Sequence, residues 1–142
     1  MAKNLIEEKN NTENSNDAFE YKVIYVFEIN NSSEHKGLIK IGVTTLHTNL
    51  SSDSLSPLSS ELNKAAKERI NSYTETAGLT YNLLWTELAI KTDNQTFSDY
   101  QVHKVLKNSG IEPIILGDSK EWFAIDLETA KKAIATVKSN LL

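Results

Sequence analysis

The segment YKVIYVFEIN, residues 21–30, decides the fold, because it is dense in β-branched and aromatic side chains and therefore predicts a strand. The turn-rich stretch NSSEHKG, residues 31–37, separates it from LIKIGV, residues 38–43, which predicts a second strand. Two strands joined by so short a connection pair antiparallel. The folded part of the chain therefore begins with a β-hairpin.

After the hairpin, the chain alternates between helix and strand signals. Residues 44–56 are rich in Ser, Thr and Asn and predict an inserted loop. A helix is predicted from Pro57, after a Ser56 cap, to a stop at Gly78. Residues 81–90, YNLLWTELAI, are apolar at nearly every position, which is typical of a central strand covered on both faces.

The last third of the chain adds two helices and a strand. A short helix begins at Ser98, where Gln101 completes a capping box, and it ends at Gly110. Residues 121–125 predict a strand, and Asp126 caps a last helix. The apolar stripe of that helix comprises Leu127, Ala130, Ile134, Val137 and Leu141. The order ββαβαβα predicts an α/β fold of the α+β type: a small mixed or antiparallel sheet with an N-terminal hairpin, flanked by about three helices.

Length and composition narrow the class of protein. A chain of 142 residues has the size of one domain, and we expect residues 1–18, rich in Asn, Glu and Ser, to form a disordered acidic tail before a single domain at 19–142. There is no cysteine, and no apolar run approaches the ~20 residues of a membrane span, so we expect a cytoplasmic protein without a membrane partner. The net charge of −4 predicts weak binding to nucleic acid unless a partner domain adds affinity.

Arg69 is the first polar residue in an apolar position. At about 100° per residue, one face of the helix that follows Pro57 is apolar, and Arg69 falls inside that arc. A guanidinium that points towards the sheet needs an anionic partner, either a protein carboxylate or a phosphate. The alternative is an aliphatic stem packed on the core with its charged head reaching solvent.

Tyr25 and Lys40 form the second unusual pair. Across the predicted hairpin they lie opposite each other or one diagonal step apart. A lysine near a phenol favours the phenolate and lowers a pKa that starts near ~10, so such a tyrosine can serve as a general base. The alternative is a strand tyrosine beside an exposed edge lysine.

Asp99 and His103 are four residues apart and share one face of the short helix. A carboxylate with a histidine at this spacing can bind a divalent ion or orient a water molecule. Alternatively, the helix dipole favours Asp99 in the first turn, and His103 simply pairs with it. Glu121 is a further candidate, as a metal ligand, as a partner for Arg69, or merely as the start of a strand.

These residues follow one order along the chain: VIY at residues 23–25, KIG at 40–42, then Arg69, the pair Asp99 and His103, and KEWF at 120–123. That order resembles the GIY-YIG nuclease superfamily, in particular its phage and bacterial branch, in which the second motif reads KIG. The resemblance runs from about residue 21 to residue 134. It implies a GIY-YIG-like fold and a phosphodiester-hydrolysing endonuclease that acts on DNA.

The resemblance also implies roles for individual residues. Tyr25 matches the tyrosine that activates water, and Lys40 stands where the second motif normally has tyrosine. Arg69 matches the arginine that contacts the scissile phosphate, and Asp99 stands where the family has its metal-binding glutamate. His103 matches a histidine frequent in this branch.

The remaining implications concern the acidic residue, the cofactor and the partners. Glu121 matches an acidic residue before paired aromatics. The implied cofactor is Mg²⁺ or Mn²⁺. In bacteria such domains often precede a helicase-like motor in restriction or repair proteins, so a covalently linked helicase-like domain is the implied partner besides DNA. The alternative, motivated by Val23, Lys40 and Asp99 at motif positions, is an inactive DNA- or anion-binding module on the same fold.

Overall fold

The computed structural model describes residues 19–140, and these form five strands and three α-helices. The strands are β1 (Phe19–Ile29), β2 (Ile39–Thr48), β3 (Tyr81–Leu88), β4 (Ile114–Leu116) and β5 (Ser119–Phe123). The helices are α1 (Ser60–Thr74), α2 (Asp99–Asn108) and α3 (Leu127–Ser139). This confirms the predicted α+β class with its N-terminal hairpin. The predicted tail, residues 1–18, lies outside the described residues, and the division of the chain into tail and domain stays a prediction.

The sheet has the strand order β3-β1-β2-β5-β4, and every neighbouring pair is antiparallel. β1 lies between β2 and β3, and its register with β2 runs from the pair Phe19 and Thr48 to the pair Phe27 and Lys40. Because β1 is flanked by strands and covered on both faces, the side chains from Val23 to Phe27 are almost fully buried. The opening segment of the sequence is therefore the centre of the fold.

Helices cover both faces of this sheet. Alternation along β1 directs Tyr25 and Phe27 towards α1, where they pack with Ile70. The intervening Ile24 and Val26 face the other side, where α2 and α3 lie. The described residues thus form three layers, in which α1 is the only α-helix on its face of the sheet.

β3 corrects the prediction of a central strand at residues 81–90. It is an edge strand, paired only with β1 among the described residues. Its apolar character comes from the helices on its two faces, since Leu88 packs with Leu62 of α1 while Trp85 packs into the cluster that α2 and α3 share. Burial from above and below produces the same sequence pattern as burial between strands.

The region between the hairpin and α1 also departs from the prediction. β2 continues to Thr48, so the loop predicted over residues 44–56 begins later, since its threonines are β-branched and suit a strand. The helix begins at Ser60 rather than at Pro57. The cause is Leu58, whose backbone is left-handed (φ 64°) while its N–H donates to the Thr86 carbonyl at 3.0 Å.

The predicted caps of the two later helices are confirmed. The Ser98 side chain accepts from the Tyr100 N–H, while the Gln101 Oε1 accepts from the Ser98 N–H at 2.9 Å. Asp126 accepts from the Thr129 N–H at 2.9 Å. In α3 the stripe members Ala130, Ile134 and Val137 are buried, Leu127 is partly buried, and Leu141 lies outside the described residues.

A short hairpin was missed by the sequence analysis. β4 has three residues and joins β5 through a turn at Gly117, whose φ is 58°. Three residues are too few for a periodicity signal, and β5 itself starts two residues before the predicted strand. No helix within residues 19–140 is long and apolar enough to cross a membrane.

Glu87 joins β3 to α3 and is 8% exposed. Its carboxylate accepts hydrogen bonds from the Lys138 ammonium and from the Trp85 indole N–H, both at 2.8 Å. We expect Glu87→Ala to lower the free energy of unfolding by about 1–3 kcal/mol, because the indole N–H loses its acceptor in a half-buried place. Urea unfolding measures this.

The matched control for this variant is Glu128→Ala. Glu128 is also paired with a lysine, but across 3.8 Å and with a side chain that is 71% exposed, so its removal should change stability little. Equal losses in the two variants would mean that the Glu87 contacts do not stabilise the fold.

Candidate functional site

The candidate site lies where one edge of β2 is left open. β5 pairs only with Ile39 and Lys40, so β2 from Ile41 onward has no neighbouring strand on that side within the described residues. α2 fills the start of this gap, because the His103 Nε2–H donates to the Ile41 carbonyl at 3.0 Å. α1 lies above the same part of the sheet, so side chains from several elements converge at this edge.

Tyr25 crosses β2 at Gly42, its register partner. A Cβ on residue 42 would lie 2.5 Å from the Tyr25 Oη and 2.6 Å from its Cζ, which is far inside contact distance. The phenol ring therefore occupies the place that a side chain at residue 42 would take. Tyr25 can adopt this orientation only because the last residue of the KIG motif is glycine.

The environment of Tyr25 raises its pKa. Burial is the largest cause, since the residue is 2% exposed; the Tyr73 hydroxyl and the positive charge of Arg69 oppose it, and Asp99 adds to it. The predicted lowering by Lys40 is therefore wrong. The cation that acts on the phenol is Arg69.

Lys40 lies one diagonal step from Tyr25, within the predicted geometry, since it pairs with Phe27. Its ammonium, however, contacts Glu121 at 3.2 Å and lies 4.7 Å from the centre of the Tyr73 ring. The sequence analysis considered Glu121 as a metal ligand, as a partner of Arg69 or as the start of a strand, but not as a partner of Lys40. It is neither the partner of Arg69 nor the start of a strand, but the counter-ion of Lys40 in the middle of β5.

Arg69 is exposed, although the helical projection placed it inside the apolar arc. Its guanidinium lies 5.7 Å from the centre of the Tyr73 ring. Within residues 19–140 it makes no ion pair, so of the two anionic partners considered for it, a protein carboxylate or a phosphate, the carboxylate is not found. The guanidinium thus lies beside two tyrosines on an exposed residue, which leaves the cation available to an external anion.

Tyr73 is the residue of this site that the sequence analysis missed. It was assigned only to the apolar face of its helix, yet both Lys40 and Arg69 lie over its ring. Its buried hydroxyl lies close to that of Tyr25 but makes no hydrogen bond of regular geometry among the described residues, and burial, with the neighbouring Tyr25, raises its pKa. The available signal was its spacing of four residues from Arg69, which places both side chains on one helix face.

Asp99 is the first residue of α2 and is half-buried. In the described part of the chain its carboxylate makes no hydrogen bond or ion pair, so the expected alternative of a pair with His103 does not form. Its charge still reaches Tyr25, whose pKa it helps to raise. Because a carbonyl can only accept, the His103 Nε2 is the nitrogen that donates in this contact, and Nδ1 is not engaged by it.

The surroundings of Asp99 suit a magnesium ion that keeps most of its waters better than a metal enclosed by protein ligands. Within residues 19–140 there is no group of three or more His, Asp or Glu side chains that could enclose a metal. Magnesium keeps several waters and often takes one or two carboxylates. An unpartnered, half-buried carboxylate fits that ligand set, with the other positions left to water and substrate oxygens.

The contact between Tyr25 and residue 42 gives a direct test. We expect Gly42→Ala to cost about 1–3 kcal/mol of stability, since the new methyl group displaces a buried ring. In a Tyr25→Ala background the same substitution should cost much less, because the obstacle is gone. Urea unfolding of the four proteins in this double-mutant cycle measures the coupling. An additive result would show that the ring does not occupy this place.

The raised pKa values of the two phenols predict that the folded protein loses stability at alkaline pH. Tyr25 and Tyr73 stay protonated in the folded protein at a pH where the unfolded chain, with an ordinary pKa near ~10, ionises. Stability should therefore be constant below that pH and fall as pH rises above it. Unfolding measured at increasing pH should show a shallower fall in Tyr73→Phe, and an unchanged slope would contradict the assignment.

Comparison with known proteins identifies one family. No curated protein and no solved structure matches the chain. The model of the T5orf172 domain matches residues 22–138, which include every residue of the site. That domain occurs in endonuclease-like proteins of phages and bacteria and is related to nuclease families. The chain belongs to the T5orf172 domain family.

Proposed function

We propose that this domain is a metal-dependent endonuclease of the GIY-YIG type, which hydrolyses phosphodiester bonds in DNA. The observation that supports it most is the convergence of a phenol, an exposed arginine and an unpartnered carboxylate at the open edge of β2: the charges of Arg69 on α1 and Asp99 on α2 both act on the Tyr25 phenol of β1. Membership of a family found in endonuclease-like proteins agrees with that chemistry. We further propose a cytoplasmic location and a helicase-like domain in the same polypeptide.

Each residue has a role that follows from its surroundings. Arg69, exposed and without a protein anion in the described chain, binds the scissile phosphate and stabilises the charge that develops on it. Tyr25 orients the attacking water through its oxygen lone pairs. Its raised pKa means that a free phenolate does not form at neutral pH. His103, whose Nε2–H is engaged by the Ile41 carbonyl, would take the proton on Nδ1 as general base, on the same helix as Asp99.

A divalent ion would be held by Asp99 and water molecules, Mg²⁺ or Mn²⁺ being the fitting ions. When bound, such an ion stabilises negative charge on the phosphate oxygens and lowers the pKa of a coordinated water. Asp99 has a second effect in the free protein, because its charge disfavours ionisation of Tyr25.

A binding module without turnover is the second candidate. Two observations favour it: Tyr25 is 2% exposed, and its pKa is moved away from neutral pH. Such a module would keep Arg69 as its anion contact. It differs from the nuclease in one measurable respect, since its affinity for DNA would be the same in chelator as in magnesium.

We expect Arg69→Gln and Asp99→Asn each to lower Mg²⁺-dependent nicking of supercoiled plasmid by about 100-fold or more, since each removes an interaction with the reacting phosphate or its metal. Thermal unfolding should stay close to that of the wild type, because neither side chain makes an ion pair in the described structure. Lys67→Gln and Asp93→Asn are the controls, being exposed residues of the same charge outside the site.

Three outcomes separate the candidates. Loss of nicking in the two site variants alone supports the nuclease. Normal nicking by both site variants contradicts the roles of Arg69 as phosphate contact and Asp99 as metal ligand. A wild-type protein that binds DNA equally well with and without chelator, and never nicks it, is a binding module.

A further inference from the structure

We propose that Glu121 is a built-in substitute for a substrate phosphate: it neutralises Lys40 in the free domain and is displaced when a phosphodiester enters the site. This rests on the proposed function, because it names Lys40 as a second phosphate contact of the same site. It also replaces the role that the sequence suggested for Lys40, which was to act on Tyr25.

The ion pair is asymmetric in a way that decides which partner moves. The Lys40 side chain is 18% exposed, whereas that of Glu121 is 48% exposed. The ammonium lies 4.7 Å from the Tyr73 ring centre and 6.0 Å from that of Trp122, so two aromatic faces hold it independently of the carboxylate. Trp122 itself is buried and fixed in the core. When the pair opens, Lys40 stays and Glu121 turns to solvent.

The position of Lys40 suits a polyanion. Tyr73 is shared between the two cations, since the Arg69 guanidinium lies 5.7 Å from the same ring centre. Both cations therefore border the same ring, and a phosphodiester that spans it would contact the arginine and the ammonium together. In the free protein only Arg69 is ready for it, because within residues 19–140 Lys40 is paired and Arg69 is not.

The energetics of exchange are favourable. A half-exposed ion pair contributes only about 0–1 kcal/mol, so a phosphate has little to overcome. Each lysine that neutralises a phosphate releases a condensed counter-ion, which makes affinity more dependent on salt. The carboxylate therefore lowers affinity for every polyanion while leaving the ammonium in place.

The test is a binding cycle of four proteins: wild type, Glu121→Gln, Lys40→Gln and the double variant. Fluorescence anisotropy with a labelled DNA duplex, in chelator so that nothing is cut, gives affinity against salt. We expect Glu121→Gln to bind roughly two- to five-fold tighter, with a steeper salt slope by about one phosphate contact. The gain should vanish when Lys40 is also replaced. Glu112→Gln, which removes the charge of another exposed glutamate outside the pair, is the control.

Other results would overturn the proposal. Unchanged or weaker binding by Glu121→Gln would mean that the carboxylate does not compete with phosphate. A gain that persists in the double variant, or that appears equally in Glu112→Gln, would be a net-charge effect.

The same cycle with inorganic pyrophosphate, followed by NMR amide shifts, separates this proposal from the proposed function. If DNA neither binds nor is cut but Glu121→Gln binds pyrophosphate more tightly in a Lys40-dependent way, the nuclease assignment fails and the substitution of phosphate for Glu121 stands. If DNA is cut but the cycle shows no coupling between Lys40 and Glu121, the nuclease assignment stands and the displacement of Glu121 by phosphate is wrong.

Discussion

The close approach of the Tyr25 ring to the backbone of Gly42 is the contact on which the site depends. Because residue 42 has no Cβ, a phenol can lie across the neighbouring strand instead of standing away from it. This places the hydroxyl beside Tyr73 and within the influence of Arg69 and Asp99. A hairpin, a helix above it and a second helix at the open edge of β2 are thereby joined through one aromatic ring.

Much of the fold could be predicted from local signals, and the failures share a cause. The hairpin, the capping box at Ser98 and the Asp126 cap are set by residues near each other in sequence, and the structure confirms them. The edge position of β3 and the late start of α1 are set by contacts between distant segments. The N–H of Leu58 and the carbonyl of Thr86 are an example that no local pattern contains.

The sequence predicted which residues lie near one another at the site, but not how they interact. Spacing placed Tyr25 one diagonal step from Lys40, as observed. The direction of the Tyr25 pKa was wrong, because the cost of burying a phenolate exceeds the effect of a cation, and burial is a property of the whole fold. Lys40 instead forms an ion pair with Glu121, which is 81 positions away in the sequence and lies on the neighbouring strand β5.

The unusual backbone of Leu58 has a consequence for the behaviour of the protein in solution. β3 is an apolar strand at the rim of a sheet, the kind of element on which further strands add and aggregates grow. The bond from the Leu58 N–H occupies its Thr86 carbonyl, and Asn63 ties the two segments by accepting from the Thr86 hydroxyl at 2.7 Å and donating to the Leu58 carbonyl at 3.2 Å. The left-handed backbone of Leu58 thus keeps one carbonyl of the rim, that of Thr86, from pairing with the strand of another chain.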